Sequence, residues 1–208
     1  MSALFSLVLL ACGGSSTDAA LEGTVTTADY EATIDNSAAF GFHIDGTGYL
    51  YFASNPDATC SDVVDYLNHS SSSEAYDPTT VWLGGTCNLL LQLSSYDGED
   101  FSFTGEDNYL KGFWNLNCAM GDGEFVYETR NSYTDYYWSE RVWVGGADDH
   151  ETSVTHVTDE TYEVDVNITS FDGNYNDALG DVPLEGSISG IVEASWCSDL
   201  YQAGLWPN

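Results

Sequence analysis

Between residues 161 and 171 the chain reads TYEVDVNITSF, and every second position is apolar: Tyr162, Val164, Val166 and Ile168 alternate with Glu163, Asp165, Asn167 and Thr169. A β-strand turns successive side chains to opposite faces, so this stretch predicts a strand with one face in a core and one in water. Similar runs occur at LEGTVTTADYEATI, CNLLLQLS, EFVYET, TDYYWSERVWVGG and ETSVTHVT. AFGFHIDGTGYLYFAS at 39–54 predicts a hairpin: Phe40, Phe42 and Ile44 alternate up to a turn at Asp45 to Gly48, and Tyr49 to Phe52 carry the return strand. In LEGSISGIVEASWC, Ile188, Val192, Ala194 and Trp196 share a face with Gly186 and Gly190, where a crossing neighbour can come close.

One stretch has the other period. In TCSDVVDYLNHS at 59–70, Val63, Val64, Tyr66 and Leu67 form a partial helical stripe, Thr59 or Ser61 can cap it, and Asp62 suits its first turn. SSSEAYDPTT after it reads as a polar loop. Strands with one polar face bury the other against a second sheet or by closing on themselves. The expected fold is therefore all-β: an antiparallel β-sandwich spanning 21–208 as a single domain, with one short helix at about 60–69.

The first residues break the alternation. Leu4 to Leu10 is an unbroken apolar run, too short for the roughly 20 residues that span a bilayer but within the roughly 7 to 15 of a signal-peptide core. It ends in Leu9-Leu10-Ala11-Cys12, followed by the small and polar GGSSTDAA. This arrangement resembles the lipobox of bacterial lipoproteins. The resemblance implies that residues 1–11 are a signal peptide, that Cys12 becomes a lipidated N-terminus, and that 12–20 tether the domain on the order of 15 Å from the bilayer. No Lys or Arg precedes the run, so the reading includes a basic segment encoded upstream of Met1. With Gly13 and no Asp after the cysteine, the resemblance implies the outer membrane; the strand-rich acidic domain is loosely similar to lipoproteins of Gram-negative bacteria.

Charge narrows the partners. Against 34 Asp and Glu stand Lys111, Arg130 and Arg141, a formal net charge of −31. Phosphate backbones and anionic headgroups are bound through clustered Lys and Arg, so nucleic acid and direct headgroup binding are excluded. The expected membrane link is the Cys12 lipid alone. Apolar residues at 43% and aromatics at 14% supply a core, so the charge does not imply disorder.

Cys60, Cys87, Cys118 and Cys197 remain besides Cys12. An even count in an exported domain predicts two disulfides, and four cysteines allow three pairings. We favour Cys60–Cys197 with Cys87–Cys118, because the first ties the end of the last strand to the helix. No C-x₂-C spacing supports zinc.

Candidate chemistry is sparse. GSISG at 186–190 has Ile188 where a nucleophile elbow needs serine. DGNYNDALGDVP at 172–183 starts like a calcium loop with Asp172, Asn174 and Asn176, but Asp177 replaces the glycine and Pro183 the bidentate glutamate. No cofactor is expected beyond a structural calcium there, or around Asp97, Glu99 and Asp100. His150 and His156 share a strand face but sit about 20 Å apart along it, too far to share an ion, and both are expected on the exposed polar face. His43 and His69 have no partner that spacing identifies. Tyr133, Tyr136, Tyr137, Trp138 and Trp143 in NSYTDYYWSERVWVGG form either a sugar-stacking platform or core. With 34 acids, some pair always meets a glycosidase spacing, so no catalytic residue is nominated. The expectation is a lipid-anchored binding or structural module of the cell envelope, with an unidentified protein or glycan ligand. The alternative is a glycan-binding module or glycan-active enzyme using 133–143.

Overall fold

A computed structural model describes residues 19–44, 46–69, 78–130, 133–138, 141–158, 160–172 and 184–202, with backbone alone for 69, 125–130, 133–138, 141–145, 172 and 202. The strands are β1 (Leu21–Thr26), β2 (Glu31–Asn36), β3 (Ala38–Ile44), β4 (Thr47–Ala53), β5 (Cys87–Ser94), β6 (Phe101–Thr104), β7 (Gly112–Met120), β8 (Phe125–Arg130), β9 (Tyr133–Trp138), β10 (Arg141–Thr158), β11 (Thr161–Asp172) and β12 (Glu185–Trp196). The helix α1 runs from Cys60 to His69. Thr59 and Asp62 close its first turn reciprocally, the Thr59 N–H donating to Asp62 Oδ2 at 2.8 Å and the Asp62 N–H to Thr59 Oγ1 at 3.3 Å.

Ten strands belong to one mixed sheet that curls on itself. Neighbours run β3, β4, β5, β7, β10, β11, β12, and the end of β12 returns to β3, so the pairings form a ring. The all-β, disulfide-stabilised architecture with one short helix is as the sequence predicts. One pairing departs from the expected antiparallel pattern: Ala194–Trp196 of β12 lie parallel to Ala39–Gly41 of β3. Connectivity requires it. β1 is antiparallel to β12 and β2 to β1, so β2 runs with β12; it passes into β3 through Ser37 alone, and β3 inherits that direction.

The interior of the curl holds the main core, including Leu21, Val25, Leu89, Leu91, Leu93, Trp114, Leu116, Val164, Val166, Ile168, Ile188 and Val192. β11 carries the predicted alternation, Tyr162 to Ile168 buried and Glu163 to Thr169 outward. β4 is buried on both faces, because Tyr49, Tyr51 and Ala53 meet a second cluster containing Val63 of α1 and Leu200. That second cover is why the 39–54 stretch is apolar nearly throughout. Cys60 bonds to Cys197, Cα–Cα 5.8 Å, clamping α1 to the end of β12. Cys87 bonds to Cys118, directly opposite it in the β5–β7 ladder, Cα–Cα 4.0 Å.

β1 lies very close to β12. A Cβ at Gly23 would collide with the carbonyl oxygen of Ser187, one at Gly186 with that of Thr24, and one at Gly190 with that of Ala20. The solvent face between β11 and β12 sets Glu163 opposite Glu193, and β1–β2 sets Glu22 opposite Asp35. Like charges in direct register are unfavourable by a few tenths of a kcal/mol, and salt screens them.

Two elements differ from the sequence reading. GFWNLNCAM, which is not among the strands expected from sequence, forms β7 with Trp114, Leu116 and Cys118 inward and Asn115 and Asn117 alternating with them. TDYYWSERVWVGG is not one strand. β9 pairs with β8 in a separate two-stranded ribbon, and Arg141 begins β10, which continues through ETSVTHVT with register shifts at 147–150 and 156–158.

Candidate functional site

Three groupings of chemistry-bearing side chains stand out among the described residues. The first gathers where β3, β11 and β12 meet the turn after β5. Tyr162 Oη and His43 Nδ1 share a hydrogen bond at 2.7 Å, and burial holds the Tyr162 phenol well above its ordinary pKa, so it stays protonated. His43 Nε2 faces Gly98 so closely that a Cβ there would stand 2.6 Å away. Tyr96, Tyr162 and Trp196 surround His43 edge-on, with ring centroids 5.4, 6.0 and 5.2 Å away. Burial, and then the charge of His156, hold the His43 pKa below its usual value against the pull of Asp97. Tyr96 is pushed up to about 12 by burial and then by Asp100, Asp97 and Glu99. This cluster closes one end of the core with neutral groups.

The second is a buried chain of hydrogen bonds beneath β6. Asn108 donates Nδ2–H to the Ala147 carbonyl at 2.8 Å, which turns its Oδ1 toward His150 Nε2 at 3.0 Å. That oxygen only accepts, so Nε2 carries the proton, and Nδ1 accepts from the Thr152 hydroxyl at 2.9 Å. Trp114 Nε1–H completes the chain by donating to Thr152 at 3.1 Å. Burial lowers the His150 pKa, against Asp149 and Asp107. His150 was expected on the exposed polar face; it is 1% exposed, because its position belongs to the inward-facing set of β10 with Thr152 and Val154.

Both His43 and His150 thus have folded pKa values below their unfolded value of 6.5. Above that value both states hold the rings neutral and stability is undiminished. Below it the unfolded chain takes up protons that the folded chain refuses, so stability is lost as pH falls toward the folded values. Thermal melts at pH 7 and about pH 5.5 are expected to show a lower midpoint at the lower pH, with a smaller difference in the double variant His43→Gln, His150→Gln. Carboxylate protonation opposes this but sets in nearer pH 4. A wild-type midpoint that rises on going to pH 5.5 contradicts the assignment.

The third is a cleft of about 580 Å³ on the outer face of β6, β10 and β11. Register builds it: Ser102, Ser153 and Asp165 lie side by side across the strands, as do Thr104, Glu151 and Asn167. At its rim Lys111, the sole lysine of the chain, pairs with Asp107 at 3.0 Å. Tyr109 and Leu110 follow Asp107 and are 72% and 76% exposed. The sequence held a signal for this place, an apolar pair beside the only lysine inside the polar turn GEDNYLKG, but single exposed residues in a turn suggest nothing without the neighbouring strands.

The residues singled out from sequence are partly dispersed. Tyr133, Tyr136, Tyr137 and Trp138 lie on β9 and Trp143 on β10, opposite Cys118 in the ladder; their side chains are outside the described residues. Cys12, Asn174, Asn176 and Asp177 are outside them altogether, and Asp172 is described by its backbone at the end of β11. Asp97 Oδ1 accepts the Glu99 N–H at 3.3 Å and Asp100 Oδ1 the His156 N–H at 3.1 Å, so these carboxylates organise backbone. Among the described residues no group of three or more His, Cys, Asp or Glu could hold a metal ion. Compared with known proteins, the chain matches no family model, no curated protein and no solved structure.

Proposed function

We propose that this chain is an extracytoplasmic binding or structural module of a bacterial cell envelope, held to the outer membrane by a lipid on Cys12. The observation that carries the reading is the use of its five cysteines: four are bonded to one another in two disulfides, which leaves Cys12 as the remaining thiol. Disulfides persist in oxidising compartments outside the cytoplasm, and an odd cysteine in an exported chain calls for a separate role. Lipidation supplies that role, since Cys12 follows an apolar run and Leu9-Leu10-Ala11 and precedes a tether of small residues. The acidic surface fits a domain held off an anionic membrane by its anchor.

Intact mass of the protein from its native membrane fraction, with and without reduction, tests the reading. A chain that begins at Cys12, carries a diacylglyceryl group and gains four hydrogens on reduction is the expected result. A full-length, unlipidated chain with free thiols overturns it.

A further inference from the structure

We propose that the cleft on β6, β10 and β11 binds a neutral, hydroxyl-rich ligand, an oligosaccharide, with the Tyr109–Leu110 tip as its apolar contact. The inference rests on the reading of this chain as a binding module and is independent of the lipid anchor. The cleft has the size of sites that hold small ligands, which run from about 300 to 1,000 Å³. Its walls are two cross-strand rows of short polar side chains on a paired sheet, so their spacing is set by backbone hydrogen bonds and little ordering is left for binding.

The ligand class follows from the inventory of those rows. Glu151 and Asp165 only accept hydrogen bonds, Ser102, Ser153 and Thr104 do both, and Asn167 offers one acceptor and two donors. A partner must therefore bring many donors with acceptors among them, as vicinal hydroxyls do. Anionic glycans are repelled by the net charge of −31. Lys111 at the rim pairs with Asp107, which leaves Glu151 and Asp165 free to accept from hydroxyls, and an organic cation is the competitor that the experiment includes.

The tip is built and held. Tyr109 has a backbone φ of 64°, a left-handed conformation that costs a bulky residue energy a glycine would not spend. It is kept there by the Tyr109 N–H donating to the Gly112 carbonyl at 2.9 Å, Leu110 and Lys111 donating to the Asp107 carbonyl at 3.0 and 2.9 Å, and its ring stacking on Phe113 at 5.3 Å. A strained turn that presents two large apolar side chains to water is explained by what those side chains touch. Tyr109 and Leu110 stand in the turn between Asp107 and Lys111, which both line the cleft, and an aromatic face there suits the apolar face of a sugar ring.

The experiment titrates the full-length protein with cellotetraose, maltotetraose, laminaritetraose and chitotetraose by calorimetry, in wild type and in four variants. Binding of at least one tetrasaccharide is expected, weakened about tenfold or more by Tyr109→Gly and lost in Glu151→Gln with Asn167→Ala. Tyr109→Gly relieves the backbone, so it is expected to melt no lower than wild type; loss of binding there is not loss of fold. Four results overturn the proposal: silence with all four sugars at millimolar concentration, binding unchanged in the cleft variants, binding removed instead by Trp138→Ala or Trp143→Ala, or saturable binding of putrescine alone that salt abolishes. A protein that proves unlipidated yet binds the tetrasaccharide keeps the cleft and loses only the anchor.

Discussion

Replacing Cys60 and Cys197 together by alanine lowers the free energy of unfolding by about 5 kcal/mol, and replacing Cys87 and Cys118 lowers it by about 4 kcal/mol. The two bonds close loops of very different length, 137 and 31 residues apart in sequence, and a cross-link removes more freedom from the unfolded chain the longer the loop it closes. The native side adds to the contrast. Cys87–Cys118 joins residues already opposite each other in the β5–β7 ladder, which stay paired without it. Cys60–Cys197 ties α1 to the end of β12, and without it α1 keeps the apolar contacts of Val63 and its neighbours on the Tyr49, Tyr51 and Ala53 face and of Tyr66 on Trp82. Denaturant unfolding of the two double variants measures the order. Amide exchange gives a second readout: α1 protection falls in the Cys60, Cys197 variant and holds in the other. Equal losses, or a larger loss for the shorter loop, contradict the account.

Gly190→Ala and Gly186→Ala each cost about 3 kcal/mol or more. Both glycines sit at positive φ, 145° and 141°, where a side chain carries about 1–3 kcal/mol of strain. Both also face a carbonyl, Gly186 that of Thr24 in β1 and Gly190 that of Ala20 just before it, so closely that a methyl group forces the chains apart, about 1–3 kcal/mol more. Gly85→Ala is the control. It too has positive φ, 75°, but nothing lies within 4 Å of the added carbon, so it is expected to cost about 1–2 kcal/mol. Thermal or denaturant melts of the three separate backbone strain from close approach; a Gly190→Ala protein as stable as Gly85→Ala removes the close-approach argument.

Gly190 also shows how far a linear pattern reaches. Its even spacing with Ile188, Val192 and Trp196 marks a place where a crossing neighbour can come close; the close neighbour is β1, the antiparallel partner of β12 within the same sheet. What passes, and in which direction, depends on β1 turning through β2 into β3, a fact of connectivity that no local window contains. The same limit applies to the candidate sites. His43 and Tyr162 are 119 residues apart, and the rows of the cleft draw on three strands. The calcium-like loop at 172–183 and the aromatic stretch at 133–143 stand out in sequence because their members are neighbours there, although their side chains lie outside the described residues; the contacts above do not stand out, because theirs are neighbours only across hydrogen-bonded strands.

Side-chain period, turn chemistry and composition alone specify the alternation of β11 and β12, the β3–β4 hairpin, the capped helix from Cys60, and core material rich enough to fold under a charge of −31. Tertiary structure decided the rest: the parallel return of β12 to β3, the division of 133–146 between two sheets, the burial of His150 and the cleft beside Lys111. Period tells which face of a strand is wet, while register and strand order tell which faces meet, and those are set by pairings between distant segments whose energies are realised only when the sheet curls on itself.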